Sequence, residues 1–313
     1  MSWIFKGLNM VLSFFSLRLI SFNDDYLKKS RLYSELFQIN SKIIENSLGC
    51  IIFSKDRALQ LDGLLRSFFI NKIGECKIIV IYSSSCENHK RAYLEVIDRH
   101  NKEVAFFEEY NGFKSTLLKV LNFIDTAKVF FLVDDIIFVE PVDFNYLSGL
   151  DTSKYIFSLR MGDHLNYSYV VDKNQPLPNF INKNDEYLYW DWSRSELDWA
   201  YPFSVDGHIF GLEEIKLLTK SLDFKAPNSF EGALQKEKVL FSKRLSMSYR
   251  KARIFNNPCN KVQKEVKNLH GNFHQDDLLK RWQNGDELDI DSLQGYLNKS
   301  VHEEVYLNFN KRS

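Results

Sequence analysis

Two adjacent carboxylates interrupt an otherwise apolar run of strand length, "FFLVDDIIF" over Phe130–Phe138. An ionised aspartate is costly to bury unless it is paired, hydrogen-bonded or bound to a cation. Asp134 and Asp135 therefore demand either an edge where the strand leaves the core or a positive partner. A carboxylate pair in that position suits a hard divalent ion, Mg²⁺ or Mn²⁺, which takes oxygen ligands and keeps substrate phosphates in its shell. Two further polar groups stand later in the chain: Asp206 with His208 in "SVDGHIF", and Glu231 in "NSFEGAL". His270 and His274 stand close together in "LHGNFHQDD".

These groups need a scaffold, and the chain shows one from Gly49 onward. Short β-type runs appear at "CIIF", "KIIVIY", "VAFF", "VFFLV" and "YIFSL". Helical stripes lie between them, with Leu61, Leu64, Leu65 and Phe68 spaced i, i+3, i+4, i+7 and a second stripe at Leu117, Leu121 and Ile124. Continuous apolar strands alternating with helices predict an α/β domain whose mostly parallel sheet is covered on both faces. Ligands of such sheets bind at the carboxyl ends of the strands. "SKDR" (Ser54 to Arg57), "SSS" (Ser83 to Ser85) and Asp134–Asp135 would converge there.

The totals narrow the function classes. Lys plus Arg balances Asp plus Glu at 41 each, so no global positive field exists to hold nucleic acid. No GxGxxG follows the first strand and no GxxxxGK[ST] occurs, which leaves the dinucleotide and P-loop readings without a phosphate cradle. Cys50, Cys76, Cys86 and Cys259 lack CxxC spacing and read as reduced thiols. Near the N-terminus, the uninterrupted run between Lys6 and Arg18 is only 11 residues, short of the roughly 20 that span a bilayer. Ile4, Leu8, Val11, Leu12, Phe15 and Leu19 share one helical face, so this amphipathic segment either lies in a membrane interface or packs on the protein's own body. No signal-peptide cleavage pattern follows it.

With these residues in place, the region from 49 to about 260 resembles the GT-A glycosyltransferases. In that family a Rossmann-like half binds a nucleotide-sugar and an acidic strand-end motif, the DxD, holds the metal. "FLVDDIIF" resembles the motif, and "IIFSKDRALQLDGLLRSF" resembles the first strand and helix. The resemblance implies Asp135 as metal ligand at the third place, Asp134 as support for the metal or ribose, and His274 as a possible completing ligand. The first place is Val133, a departure from the pattern. It implies that Ser54, Lys55, Arg57, Lys114 in "NGFKSTLL" and Arg160 flank the nucleotide. In "GHIFGLEEIKLLTKSLDFKAPNSFEGAL", Glu231 stands where inverting members begin a helix with their general base, although Gly232 follows it rather than Asp. Asp206 and His208 would bind the acceptor, orient the base or replace Glu231.

The expected fold is a GT-A-like, Rossmann-type α/β sheet with helical additions at both ends. It divides into an N-terminal segment over 1–45, a catalytic domain over 46–260 with its nucleotide half at 46–150 and acceptor half at 151–260, and a helical extension over 261–313. The expected partners are a nucleoside-diphosphate sugar and a glycan or lipid-linked glycan acceptor. A surface polysaccharide built on the cytoplasmic face of a bacterial membrane fits that set, and no nucleic acid is expected. A basic run from Lys236 to Lys267, with ten Lys or Arg against Glu237 and Glu265, is either a solvated face or a contact for anionic lipid. Tyr187, Tyr189, Trp190, Trp192, Trp199 and Tyr201 form either core or a sugar-stacking wall. Two rival functions remain: a sugar nucleotidyltransferase, for which "SKDRALQ" lacks the glycines, and a non-catalytic membrane-peripheral assembly protein with a degenerate transferase fold.

Overall fold

A computed structural model describes residues 22–39, 46–258 and 275–312. The chain divides into two units, Met1–Ile43 and Ile44–Ser313. In the first, the described residues form one helix, α1 (Phe22–Ile39).

In the second unit the apolar runs become strands because neighbours on both edges satisfy their backbone and helices cover both faces. β1 (Leu48–Lys55) leads into α2 (Ala58–Asn71) and the short β2 (Lys72–Ile73). The pattern repeats through β3 (Lys77–Ser83), α3 (Glu87–His100), β4 (Val104–Glu108), α4 (Phe113–Phe123) and β5 (Lys128–Val133). A tight turn at Asp134–Asp135 follows, then β6 (Ile136–Phe138), β7 (Val142–Asp143) and α5 (Phe144–Ser148). Next come β8 (Tyr155–Ser158), the hairpin β9 (Tyr167–Ser168) and β10 (Lys173–Asn174), β11 (Phe180–Lys183), β12 (Tyr187–Trp190) and β13 (His208–Gly211). The helices α6 (Leu212–Ser221) and α7 (Pro227–Lys236) precede β14 (Leu245–Tyr249) and β15 (Ile254–Asn256). The C-terminal part contributes α8 (Gln275–Gln283), β16 (Asp286–Leu288) and β17 (Phe309–Lys311).

The main sheet has nine strands in the order β11-β12-β14-β8-β13-β5-β1-β3-β4. Strand pairing makes β12 and β13 run against the other seven, so the expectation of a mixed, mostly parallel sheet holds. The predicted stripe of α2 is its core face: Leu61, Leu64, Leu65 and Phe68 are fully buried, and Phe68 meets Phe138 and Phe144 at 5.0 and 5.1 Å between ring centroids. On the opposite face Phe53 packs on Phe113 and Phe131, and Phe131 on Phe230 of α7. Each such side chain contributes about 1.5–3 kcal/mol on burial. Trp190, Trp192 and Trp199 pack into a second apolar cluster, and Trp190 Nε1 donates to Trp199 O, so these rings are core. Tyr189 and Tyr201 stay half-buried.

Because β13 runs opposite to its neighbours, the residues that enter it lie at the same edge as those that leave β1, β5 and β8. Gly207 secures this crossing: its N–H donates to Phe131 O, its carbonyl accepts from Leu159 N, and its φ is +79°. A Cβ there would lie 2.5 Å from Ile254 Cδ1 and 3.1 Å from Leu159 Cβ. Gly207→Ala should therefore lower stability by about 1–3 kcal/mol, read as a shift of the urea midpoint at unchanged slope.

Candidate active site

The strand-to-turn step at β5 buries Asp134 and leaves Asp135 part-buried. Asp134, 4 % exposed, takes Arg57 Nη1 on Oδ1 at 2.9 Å and both Ser54 Oγ and Lys55 N on Oδ2 at 2.9 and 3.1 Å. Asp135 receives the same Arg57 Nη1 on Oδ2 at 3.0 Å and Asn256 Nδ2 on Oδ1 at 3.2 Å. Arg57 stands there because Asp56 turns the chain with φ +54°, a conformation that aspartate tolerates, and its carboxylate caps Ser85 N at 2.7 Å. A polar relay backs the pair: Arg57 N donates to Tyr93 Oη, which meets Ser54 Oγ at 2.6 Å, and Ser54 donates to Asp134. Burial raises the Asp134 pKa, and Arg57 opposes that rise.

A second polar group lies on the loop before β13. Arg160, just past β8, donates Nη1 to Asp206 Oδ2 at 2.9 Å, and both residues are buried. Glu231 is in the second turn of α7 rather than at its start. Pro227 opens that helix, and Ser229 Oγ accepts from Lys225 N and Ala226 N. The Glu231 Oε1 accepts from Ser204 Oγ at 2.9 Å and Val205 N at 3.0 Å, while Ser204 Oγ in turn accepts from Asp206 N. Burial and the nearby Asp206 charge push the Glu231 pKa up to about 7, against the pull of Arg160. Burial raises the Asp206 carboxyl too, with Arg160 opposing.

Most of the residues singled out in the sequence fall into these two groups: Ser54, Arg57, Asp134 and Asp135 in one, Arg160, Asp206 and Glu231 in the other. Lys55 joins the first through its backbone, and its side chain is exposed. Lys114 is elsewhere: its Nζ donates to Leu222 O at 2.5 Å and to Lys220 O at 3.3 Å, and lies 5.4 Å over the Phe224 ring. His208 is turned into its own loop, with Nδ1 2.8 Å from Pro202 O, and burial followed by Arg160 lowers its pKa to about 3. It is a neutral anchor for the Asp206 loop. His270 and His274 lie outside the described residues, as does Cys259.

Two residues that carried no signal in the sequence complete the site. Asn256 at the end of β15 donates to Asp135 and acts to lower the Asp206 pKa. His302, from the C-terminal part, bridges to Asn256 and puts Nε2 3.7 Å from Asp206 Oδ2. Burial and then Arg160 lower its pKa to about 4, while the Asp135 charge opposes that shift, and its buried Nδ1 has no hydrogen-bond partner in the described residues. Neither "IFNNP" nor "SVHEEV" has a distinctive spacing; only the return of the chain to the sheet edge brings them in.

Among the described residues no three His, Cys, Asp or Glu side chains are grouped to hold a metal ion. One guanidinium against two carboxylates leaves the first group with one residual negative charge. Removing that guanidinium strands a buried carboxylate. Arg57→Met should cost about 3–5 kcal/mol in urea unfolding, and Asp134→Asn in the same chain should return part of it, a non-additivity that marks the pair.

No family model matches the sequence. Over 218 residues it is 27 % identical to the bifunctional glycosyltransferase pgtA of Dictyostelium discoideum, an alignment covering 61 % of this chain and 28 % of that protein. The chain thus spans under a third of the length of this relative. Among solved structures, S. aureus TarS 1-349 in complex with UDP aligns with a TM-score of 0.44 at 12 % identity over 76 % of this chain and 71 % of that one. The mannosyltransferase PcManGT from Pyrobaculum calidifontis, in complex with GDP-Man and Mn²⁺, scores 0.29 at 14 % identity over 42 % and 43 %. The 4-diphosphocytidyl-2C-methyl-D-erythritol synthase of Anaerococcus prevotii scores 0.39 at 11 % identity over 66 % and 88 %. The protein is a mixed, mostly parallel α/β chain whose sequence is similar to that of a glycosyltransferase.

Proposed function

We propose that this chain is a GT-A-like glycosyltransferase that moves a sugar from a nucleoside diphosphate to a hydroxyl of a glycan acceptor by a single inverting displacement. The observation that carries the reading is the meeting, at one sheet edge, of two different carboxylate groups. One is a pair locked by Arg57; the other contains a carboxyl whose pKa sits near neutrality. The sequence similarity to a glycosyltransferase supports it.

The first group is the donor end. Its residual negative charge would disfavour a bare diphosphate; Asp135 would be the carboxylate ligand of a divalent cation, Mg²⁺ or Mn²⁺, that would supply the missing positive charge. Asp134, the more deeply buried of the two and bound by Arg57, Ser54 and Lys55 N, fixes Arg57 and the turn. The imidazole of His302, with its unpartnered buried nitrogen, is the nitrogen donor that fits beside Asp135. When bound, such an ion offsets charge on the departing diphosphate. His274, which the family resemblance suggested for such a place, lies outside the described residues.

The second group is the acceptor end. Glu231 has Oε1 held by the Ser204–Val205 turn and a pKa suited to taking a proton at neutral pH. Asp206, already paired to Arg160, is the poorer base and keeps Glu231 raised by its charge. The acceptor we favour is a growing surface glycan or its lipid-linked form. Among the described residues no helix is long and apolar enough to cross a membrane, and a peripheral approach to the cytoplasmic face would use the exposed cationic side chains.

Nucleoside-diphosphate release from a panel of UDP- and GDP-sugars, with and without a glycan acceptor, tests the reading. Wild-type turnover should rise with pH through about 7 as Glu231 ionises, and Glu231→Gln should lower kcat by about 10²–10⁴. Folding favours the protonated Glu231, so the stability it contributes is complete below pH 4.5 and is lost as pH rises through about 7; Glu231→Gln should remove that dependence. Release by no donor, or full turnover by the Gln variant, defeats the proposal.

A further inference from the structure

Asn256 joins the two ends of the site. It closes β15, opposite Ile136, the first residue after the Asp134–Asp135 turn. Its backbone clasps the C-terminal part, donating N–H to Val301 O at 3.0 Å and accepting from Glu303 N at 2.9 Å, while the next residue donates Asn257 N to Asp135 O at 2.9 Å. The side chain is 2 % exposed. Nδ2 reaches Asp135 Oδ1 at 3.2 Å, and the same side chain acts to lower the Asp206 pKa, which burial raises.

An amide nitrogen has two hydrogens; one goes to Asp135 Oδ1, and the Asp206 carboxylate lies near enough for the same amide to lower its pKa against the effect of burial. The carbonyl Oδ1 is buried without a hydrogen-bond partner in the described residues. Turning the amide over would aim that oxygen at the two carboxylates, so the carboxylates fix the orientation and the unpartnered oxygen is its consequence. An asparagine retained only to fill the core would bond through both ends.

We propose that Asn256 is a positioning residue that sets the separation between the donor-end carboxylate Asp135 and the acceptor-end pair Asp206–Arg160, and through that pair the placement of Glu231. This rests on the transferase reading above. Asp135 keeps Arg57 and Asp206 keeps Arg160 when the amide is removed. The groups that would bind donor and acceptor therefore survive; what is lost is their spacing. A misplacement of about 1 Å costs on the order of 10² in rate.

The test compares wild type, Asn256→Ala and Asn256→Ser in steady-state release of nucleoside diphosphate from whichever UDP- or GDP-sugar the wild type accepts. Melting with UDP or GDP and Mn²⁺ is followed in parallel. We expect the Ala variant to fold, to keep its nucleotide-dependent rise in melting temperature and to hold donor KM within about threefold while kcat falls about 10²-fold. The Ser variant, which keeps one hydrogen to donate, should fall between. Near-normal kcat in both variants overturns the inference, as does a KM that rises as far as kcat falls. Loss of the folded state in both also overturns it, because the amide would then be a structural requirement. A wild type that neither binds UDP or GDP nor turns over a donor defeats the transferase reading itself, and this inference with it.

Discussion

One guanidinium shared by two carboxylates organises this site. Arg57 lies 2.9 Å from Asp134 and 3.0 Å from Asp135, nearly buried with them, and neither aspartate would be tolerated at that depth without it. The pairing explains why an apolar strand ends in "VDD": the inner carboxylate is a counter-ion for Arg57, and the outer one is held at the lip of the sheet with a spare negative charge. It also explains the strained entry to α2. Asp56 takes a left-handed conformation that sets Arg57 ahead of the helix, and it recovers part of the strain by capping Ser85.

The second group depends on the first through the sheet. Gly207 is hydrogen-bonded to both β5 and β8, so the loop bearing Asp206 is registered against the strand bearing Asp134. Asn256 and His302 add a cross-tie from the last part of the chain, which comes back over α2, where Leu288 packs against Gly63 and Arg66 donates to Leu288 O. A buried charge cluster steadies that return. Asp62, wholly buried, is met by Arg66, Arg99 and His100, and Glu287 meets both arginines from the C-terminal side. With those partners its pKa is lowered although burial acts to raise it.

The parallel half of the sheet was legible because its strands are covered on both faces and therefore read as continuous apolar runs. The stripe of α2 was legible because Leu61, Leu64, Leu65 and Phe68 repeat at helical spacing on one face. Asp134, Asp135 and Arg57 stood out for the same reason, being charges where the pattern wanted none. Lys114 was misleading: it stands at the start of α4, just after β4, but its amine is taken up by the carbonyls that end α6. Asn256 and His302 were invisible, since their role comes from contacts across about 50 to 120 positions of chain and neither stands in a periodic or charged context. The tryptophans could be divided between core and surface only after β12 had paired with β14 and turned them inward.

The central claim is that Asp135 holds a divalent cation jointly with a nucleoside diphosphate, and electron paramagnetic resonance of Mn²⁺ reads this directly. Titrating the protein into Mn²⁺ should leave most of the free-ion signal in place. Adding UDP or GDP should remove far more of it than the nucleotide does alone, and Asp135→Ala should abolish that extra loss. Equal loss of signal in the Asp135→Ala protein, or none in the wild type with either nucleotide, would contradict the account.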